Sequence, residues 1–311
     1  MNQTVKHLVD PSDFTLEEIN RVIDLGLKIH RNPAPYARLC EGKILGTLFY
    51  EPSTRTRLSF ESAMLRLGGK VLGFSDANTS AVKKGESLAD TVRVLDDYCD
   101  ALVMRHPMEG APKLASEYAT VPVINGGDGG HQHPTQTLTD LITIKHAKGR
   151  IDNLKIALCG DLLFGRTVHS LLKTLSRFEN ITFYLISPPE LKIPKHLKDY
   201  LLQTYNVSIS EFTDLEDCIE DADILYMTRI QKERFLNEEE YIRLRDSYIL
   251  TRDKLAETKK DLMVLHPLPR NNEIHYDVDE DPRAQYFQQA AFGVYVRMAL
   301  ISILLEVADH A

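Results

Sequence analysis

The stretch Ile44-Leu45-Gly46-Thr47-Leu48-Phe49-Tyr50-Glu51-Pro52-Ser53-Thr54-Arg55-Thr56-Arg57 decides the architecture. Its first seven residues form a short, largely apolar, partly β-branched run of strand length. The polar residues after them lead straight into a helical pattern. Phe60, Ala63, Met64 and Leu67 fall at i, i+3, i+4 and i+7, and Gly68-Gly69 ends the pattern. Strand, polar loop and helix in that order open a parallel α/β unit. The loop lies at the C-terminal end of the strand, where open parallel sheets gather their ligands.

The alternation continues. Leu88, Val92, Leu95 and Cys99 repeat the helical spacing, Ala101-Leu102-Val103-Met104 and Val121-Pro122-Val123-Ile124 read as strands, and Leu138, Leu141, Ile142 and Lys145 follow Pro134 at helical spacing. Lys148-Gly149-Arg150 closes that helix and a second series begins. Strands are predicted at 155–159, 181–186, 207–210, 223–227 and 262–265, with helical patterns between them. A last helix, from about Arg283 to Asp309, carries Val294, Met298, Ile301 and Leu305 on one face and needs a cover. The expected fold is α/β, with two doubly wound domains, each a parallel sheet flanked by helices. The first domain covers 1–147 and is completed by the C-terminal helix, 286–311, packing back on it; the second covers 148–285.

At 311 residues the chain is about twice a typical domain length, which fits two domains. Lys plus Arg number 37 against 45 Asp plus Glu, a net charge of −8, which argues against nucleic acid as a partner. The apolar stretch Ala299–Leu305, broken only by Ser302, is far short of the roughly 20 residues of a bilayer span, so no membrane is expected. Residues Met1 to Lys6 have no apolar secretory core behind them. Cys40, Cys99, Cys159 and Cys218 are widely spaced with no C-x-x-C pair, which speaks against a zinc knuckle or a disulfide framework. A cytoplasmic protein with buried reduced thiols is expected.

The chemistry is written after the strands. Ser53, Thr54, Arg55 and Thr56 combine hydroxyls, backbone N–H groups and a guanidinium at the positive end of a helix dipole, a cradle suited to phosphate. The alternative is that Ser53 or Thr54 merely caps the helix. Arg105 follows the next strand. Gly126-Gly127-Asp128-Gly129-Gly130-His131-Gln132-His133-Pro134-Thr135-Gln136 places imidazoles and amides at a helix start. His131 and His133, two apart, could form a metal pair, but with only Asp128 as a carboxylate in that loop and no thiol a metal is the less favoured reading. Donation to a developing oxyanion is the better use of His133. In the second half, Arg166 follows Gly160-Asp161-Leu162-Leu163-Phe164-Gly165, Arg229 and Gln231 follow another strand, and His266-Pro267-Leu268-Pro269-Arg270 offers carbonyl acceptors. Arg55 and Arg105 suit one anion, while Arg166 and Arg229 suit carboxylates through bidentate forks. With no nucleophile–base pair at recognisable spacing, direct transfer between two bound anionic substrates is expected.

Phe49-Tyr50-Glu51-Pro52-Ser53-Thr54-Arg55-Thr56-Arg57-Leu58-Ser59-Phe60-Glu61 resembles the carbamoyl-phosphate signature of the aspartate and ornithine carbamoyltransferase family, and His133-Pro134-Thr135-Gln136 resembles its second signature. His266-Pro267-Leu268-Pro269-Arg270 has the form of the aspartate branch; ornithine members typically carry a Cys there. The resemblance implies transfer of the carbamoyl group from carbamoyl phosphate to L-aspartate, in pyrimidine biosynthesis, with no cofactor and no metal. It implies that Ser53, Thr54, Arg55 and Thr56 hold the phosphate and that Arg105 bridges phosphate and carbonyl oxygen. Thr56, Arg105 and His133 would polarise the carbonyl, while Gln136 and the backbone carbonyls of Pro267 and Leu268 would receive the carbamoyl NH₂. Arg166, Arg229 and Gln231 would grip aspartate. Ser80 and Lys84 would reach in from a neighbouring subunit, making a homotrimer the smallest active unit, and Lys84 would also meet aspartate. Glu51 would link the domains through Arg166 and Arg234 in a closed form. The resemblance is compatible with a trimer working alone, with a separate zinc-bearing regulatory chain, or joined to a dihydroorotase. Two rivals are a transcarbamylase for ornithine, against which Arg229 and Gln231 argue, and a non-catalytic phosphate or nucleotide sensor. The sensor would not need His133, Gln136 and the second-half arginines together.

Overall fold

In the computed structural model, which describes residues 5–76, 85–232, 235 and 237–310, the deciding stretch folds as strand β1 (Ile44–Phe49). β1 is buried along almost its whole length because it is covered on both faces, the environment that gives parallel strands their continuous apolar runs. The chain divides into two compact units, one of residues 1–142 with 290–311, the other of residues 143–289.

In the first unit, helix α1 (Leu16–Arg31) precedes β1, opened by a capping box in which Thr15 and Glu18 serve each other's backbone N–H groups. After β1 come α2 (Thr54–Arg66), β2 (Lys70–Phe74), α3 (Leu88–Asp96), β3 (Ala101–His106), α4 (Ala111–Tyr118), β4 (Val123–Asp128) and the start of α5 (Pro134–Lys148). The parallel sheet has the order β2-β1-β3-β4. Sequence patterning passed over α1, β2 and α4. β2 is an edge strand whose residues are mostly half-exposed or exposed, so it lacks the apolar run that marks its neighbours. Phe60, Ala63, Met64 and Leu67, the predicted face of α2, are all fully buried; Phe60→Ala alone would cost about 3–5 kcal/mol.

The second unit contains β5 (Lys155–Cys159), α6 (Arg166–Leu175), β6 (Thr182–Ile186), α7 (Lys195–Thr204), β7 (Ser208–Phe212), β8 (Ile224–Met227), α8 (Glu238–Leu244) and β9 (Met263–Leu265). Its parallel sheet runs β7-β6-β5-β8-β9. Both sheets are doubly wound, and the strand order reverses at β1/β3 in one and at β5/β8 in the other.

The last helix, α9 (Tyr286–Leu304), is shorter than the pattern predicts at both ends. Before it, Arg283 is held in a loop by Asp281 and by the Leu255 carbonyl. After it, Glu306 adopts φ +57°, a left-handed conformation that stops the helix. From residue 290 onward α9 belongs to the first unit, as expected. The His30 ring on α1 lies 4.8 Å from those of Phe292 and Tyr295, and Gly26 gives α1 the room to approach: an added Cβ would sit 3.4 Å from Tyr295 O. All four cysteines are free and buried, and burial pushes the Cys40 and Cys99 thiols up to about 11.

Candidate active site

In the first unit, β1, β3 and β4 lie side by side and parallel, so their C-terminal ends present three loops along one sheet edge. From β1 the chain enters α2 through Ser53, the N-cap residue, in extended conformation. Ser53 makes no side-chain cap, so its hydroxyl is not spent on the first N–H groups of α2 and the simple capping reading fails. Ser53 is half-buried, Thr54 and Arg55 are exposed, and Thr56 is buried, with Ser59 Oγ donating to its carbonyl at 2.9 Å. Thr56 lies against β4. A Cβ on Gly126 would fall 3.5 Å from Thr56 Cγ2 and 3.2 Å from Met104 O, so a bare glycine there lets the start of α2 lie over the neighbouring strand ends. Arg57 serves structure: its Nε donates to Glu61 at 2.8 Å one turn along the helix.

Arg105, the next-to-last residue of β3, pairs directly with Phe49. Its Nε donates to Glu51 Oε1 at 2.7 Å. Burial pulls the Arg105 guanidinium below its ordinary value; Glu51 opposes this, and the positive charge of Arg55 adds to it. Two guanidiniums that feel each other, with a carboxylate in attendance, are the electrostatics of an anion site.

The glycine loop is tied rather than loose. Asp128, almost wholly buried, accepts from Asn125 Nδ2 (2.9 Å), Gln132 N (3.1 Å) and Gly110 N (2.8 Å), and Asn125 Oδ1 accepts from Gly127 N (2.7 Å). That network delivers the buried His133 to the position just before α5, with its Nδ1 3.5 Å from Thr135 Oγ1. Gln136, half-buried, donates from Nε2 to the fully buried Asp140 at 2.8 Å.

In the second unit, β5, β8 and β9 are neighbours, and their C-terminal ends carry Gly160-Asp161, Thr228-Arg229 and His266-Pro267-Leu268. Gly160 has φ +124°, and a Cβ on it would lie 2.2 Å from Thr228 O, so only glycine lets these strand ends meet. Thr228 Oγ1 donates to Cys159 O (3.2 Å) and accepts from Asp161 N (3.1 Å), stapling the two. Arg166 is the first residue of α6, after Gly165, which supplies no side-chain cap. Arg166 and Arg229 are half-buried. Gln231 Nε2 points to Asp161 Oδ2 at 3.4 Å, and burial raises the Asp161 carboxyl above its usual range despite N–H donors such as that of Phe164.

Pro267 and Leu268 are presented by a locked histidine. His266 Nδ1 accepts from Leu268 N at 2.8 Å, so the ring proton sits on Nε2 and goes to Glu273 Oε1 at 2.8 Å. Glu273 is buried, which opposes ionisation, yet His266 and neighbouring N–H groups hold it below the ordinary carboxylate range. Leu268 itself takes φ +53°. Arg270 is structural, engaging Asp279 with both terminal nitrogens and lying 4.7 Å from the Tyr276 ring centroid. Ser80, Lys84 and Arg234 lie outside the described residues. Sequence reading missed Asn125, Asp128 as a tie, Asp140, Asp161 and Glu273. Among the described residues no cluster of three or more His, Cys, Asp or Glu side chains could hold a metal ion.

Together these features define a two-unit α/β protein whose strand ends and helix starts carry guanidiniums, hydroxyls and N–H groups suited to small anions. A family model described as the carbamoyl-phosphate-binding domain of aspartate/ornithine carbamoyltransferase matches residues 6–146, and one for the Asp/Orn-binding domain matches residues 152–304. The chain belongs to the aspartate/ornithine carbamoyltransferase family. It is 70% identical over 304 residues, 98% of each chain, to the aspartate carbamoyltransferase catalytic subunit of Alkaliphilus metalliredigens. It also resembles the catalytic subunit of M. jannaschii aspartate transcarbamoylase (TM-score 0.90, 51% identity, covering 97% of this chain and 98% of that one). The Trypanosoma cruzi aspartate transcarbamoylase in complex with carbamoyl phosphate and aspartate is similar too (TM-score 0.90, 39% identity, 96% of each chain).

Proposed function

We propose that this chain transfers the carbamoyl group of carbamoyl phosphate to the amine of L-aspartate, giving N-carbamoyl-L-aspartate and phosphate. The observation that carries this reading is the uncapped start of α2, where Ser53, Thr54, Arg55 and Thr56 stand at the strand edge that also bears Arg105, in a chain matched along its length by aspartate-specific relatives. Phosphate binds the α2 N–H groups, the hydroxyls and Arg55, and Arg105 leaves Glu51 in part to bridge phosphate and carbonyl oxygen. Thr56, Arg105 and His133 donate to the carbonyl oxygen as it gains charge, the interaction that lowers the barrier most. Gln136 and the Pro267 and Leu268 carbonyls accept from the NH₂. Arg166, Arg229 and Gln231 hold the carboxylates of aspartate.

The amine lone pair attacks the carbonyl carbon, the tetrahedral oxyanion collapses, and the bond to the phosphate oxygen breaks. The departing phosphate takes the proton that the amine loses. Attack requires the uncharged amine, and surrounding guanidiniums favour that form. Placing both substrates side by side replaces a general base and a covalent intermediate. The His266-Pro267-Leu268-Pro269-Arg270 loop and Arg229 favour aspartate over ornithine, whose distal ammonium would need a carboxylate or thiol there. The working unit is a cytoplasmic homotrimer in pyrimidine biosynthesis, with Ser80 and Lys84 given to the neighbouring site and Glu51, Arg166 and Arg234 linking the domains on closure. Colorimetric detection of carbamoyl-aspartate tests the reaction, with ornithine as the competing acceptor. A folded chain that carbamoylates ornithine or nothing refutes it. Native mass tests the trimer.

A further inference from the structure

Gln136 is useful to the proposed reaction only if its amide points the right way. The two ends of a glutamine amide have the same shape, and only the partners of each end decide which faces where. One turn further along α5 lies Asp140, with no exposed surface, accepting on Oδ1 from Gln136 Nε2 at 2.8 Å. A carboxylate accepts and does not donate, so it takes the NH₂ end of the amide and turns the oxygen end away. Behind it lies Arg297 on α9, buried and 4.9 Å from the Phe60 ring centroid, with Nη1 donating to Gly293 O (2.9 Å) and Thr139 Oγ1 (3.3 Å). Among the described residues Arg297 Nε finds no acceptor, and burial pushes this guanidinium down to about 10 against the opposing charge of Asp140. Apolar residues of the same volume would stabilise such an interior at least as well as a buried cation and anion. What they could not do is impose a direction on the amide above them.

We propose that Asp140, backed by Arg297, is a positioning residue that fixes Gln136 with its amide oxygen presented to the carbamoyl NH₂, and so lets the site distinguish carbamoyl phosphate from acetyl phosphate. This rests on the reading that the first unit binds carbamoyl phosphate. Acetyl phosphate has the same phosphate and carbonyl but a methyl group where carbamoyl phosphate has NH₂. An acceptor oxygen rewards the NH₂ and gives the methyl nothing, whereas an inverted amide would point hydrogens at hydrogens. A site built to hydrogen-bond a substrate NH loses far more on its absence than an apolar pocket loses on a methylene.

The experiment compares the wild type, Asp140→Asn and Gln136→Ala by KM for carbamoyl phosphate and by inhibition constants for acetyl phosphate and inorganic phosphate. An asparagine can turn its own NH₂ toward Gln136 and let the amide invert. The expected result is a rise of about tenfold or more in KM for carbamoyl phosphate, with both inhibition constants within about twofold of wild type. The preference for carbamoyl over acetyl should fall to that of Gln136→Ala. Equal weakening of all three ligands, or an unchanged preference, overturns the proposal. Should Asp140→Asn not fold, the wild type still decides. The Gln136 side-chain amide protons, assigned by their loss from the ¹⁵N spectrum of Gln136→Ala, should exchange slowly with water, and rapid exchange overturns the proposal. A wild type that makes no carbamoyl-aspartate refutes the functional reading instead and leaves that exchange measurement informative.

Discussion

Glu51→Gln should bind inorganic phosphate more tightly than the wild type while turning over more slowly. The first effect follows from the pair Arg105 Nε–Glu51 Oε1 at 2.7 Å, whose side chains are only 16% and 26% exposed. Glutamine keeps the shape and removes the charge. A phosphate seated on Arg105 would lie about 5 Å from the Glu51 carboxylate, where two unit charges repel by ~3 kcal/mol at an effective dielectric of 20. Counterions and the partial exposure of Glu51 reduce this to about 1–2 kcal/mol, a five- to thirtyfold gain in affinity. Titration calorimetry with inorganic phosphate at low salt measures it, and the gain should shrink in concentrated salt. The second effect follows from the role proposed for Glu51 on closure, so kcat should fall as affinity rises. A Glu51→Gln chain that binds phosphate no better than wild type at low salt would refute the placement of the phosphate on Arg105.

Arg55→Ala should lower kcat by about 10²–10³, as loss of one transition-state donor does, and because Arg55 is exposed the melting temperature should barely move. Near-normal turnover would remove Arg55 from the chemistry. Arg229→Ala should raise KM for aspartate far more than KM for carbamoyl phosphate; equal effects would place it elsewhere. Glu273→Gln should cost about 1–3 kcal/mol of stability at pH 7 by urea unfolding, because it breaks a charge-assisted bond to His266. Glu273 is held below the ordinary carboxylate range, so its contribution is present above that range and is lost as pH falls through its lower folded value. The gap between wild type and variant should therefore close in acid, and a gap independent of pH would refute the ionised Glu273 carboxylate.

Much of the fold was legible because buried parallel strands announce themselves. β1, β5 and β8 are buried nearly throughout and read as apolar runs. β2 pairs with β1 just as regularly, but at the sheet edge, with Gly73 so close to Thr47 O that a Cβ would fall 2.0 Å from it. Backbone pairing, which the sequence does not display, makes it a strand. The same limit governs the site. Ser53, Thr54, Arg55, Thr56, Arg105, His133 and Gln136 stand at strand ends and helix starts, positions that periodicity locates. Asp140 and Asp161 were invisible because a carboxylate with no exposed surface is spelled like one in water.

The buried carboxylates share a logic that single-residue reading cannot supply. Asp128, Asp140, Asp161 and Glu273 each lie beneath a different loop of the proposed site, and each takes hydrogen bonds from that loop's own donors: Gly110 and Gln132 N–H, the Gln136 amide, the Phe164 N–H, and the His266 ring with Asn271 N–H. Acceptor-only groups fix the polarity of every bond they receive, so the loop groups left over must face the ligand with the opposite sense. In the second unit Asp161 shares the loop after β5 with Arg166 and lies 3.4 Å from the amide of Gln231, two residues beyond Arg229. Glu51, by contrast, engages Arg105 directly, and in the proposed reaction the phosphate would compete with it for that guanidinium. For the proposed reaction, carboxylates beneath the loops orient the donors above them without competing for the anions, and Asp128, Asp140, Asp161 and Glu273 are buried and hydrogen-bonded in that sense.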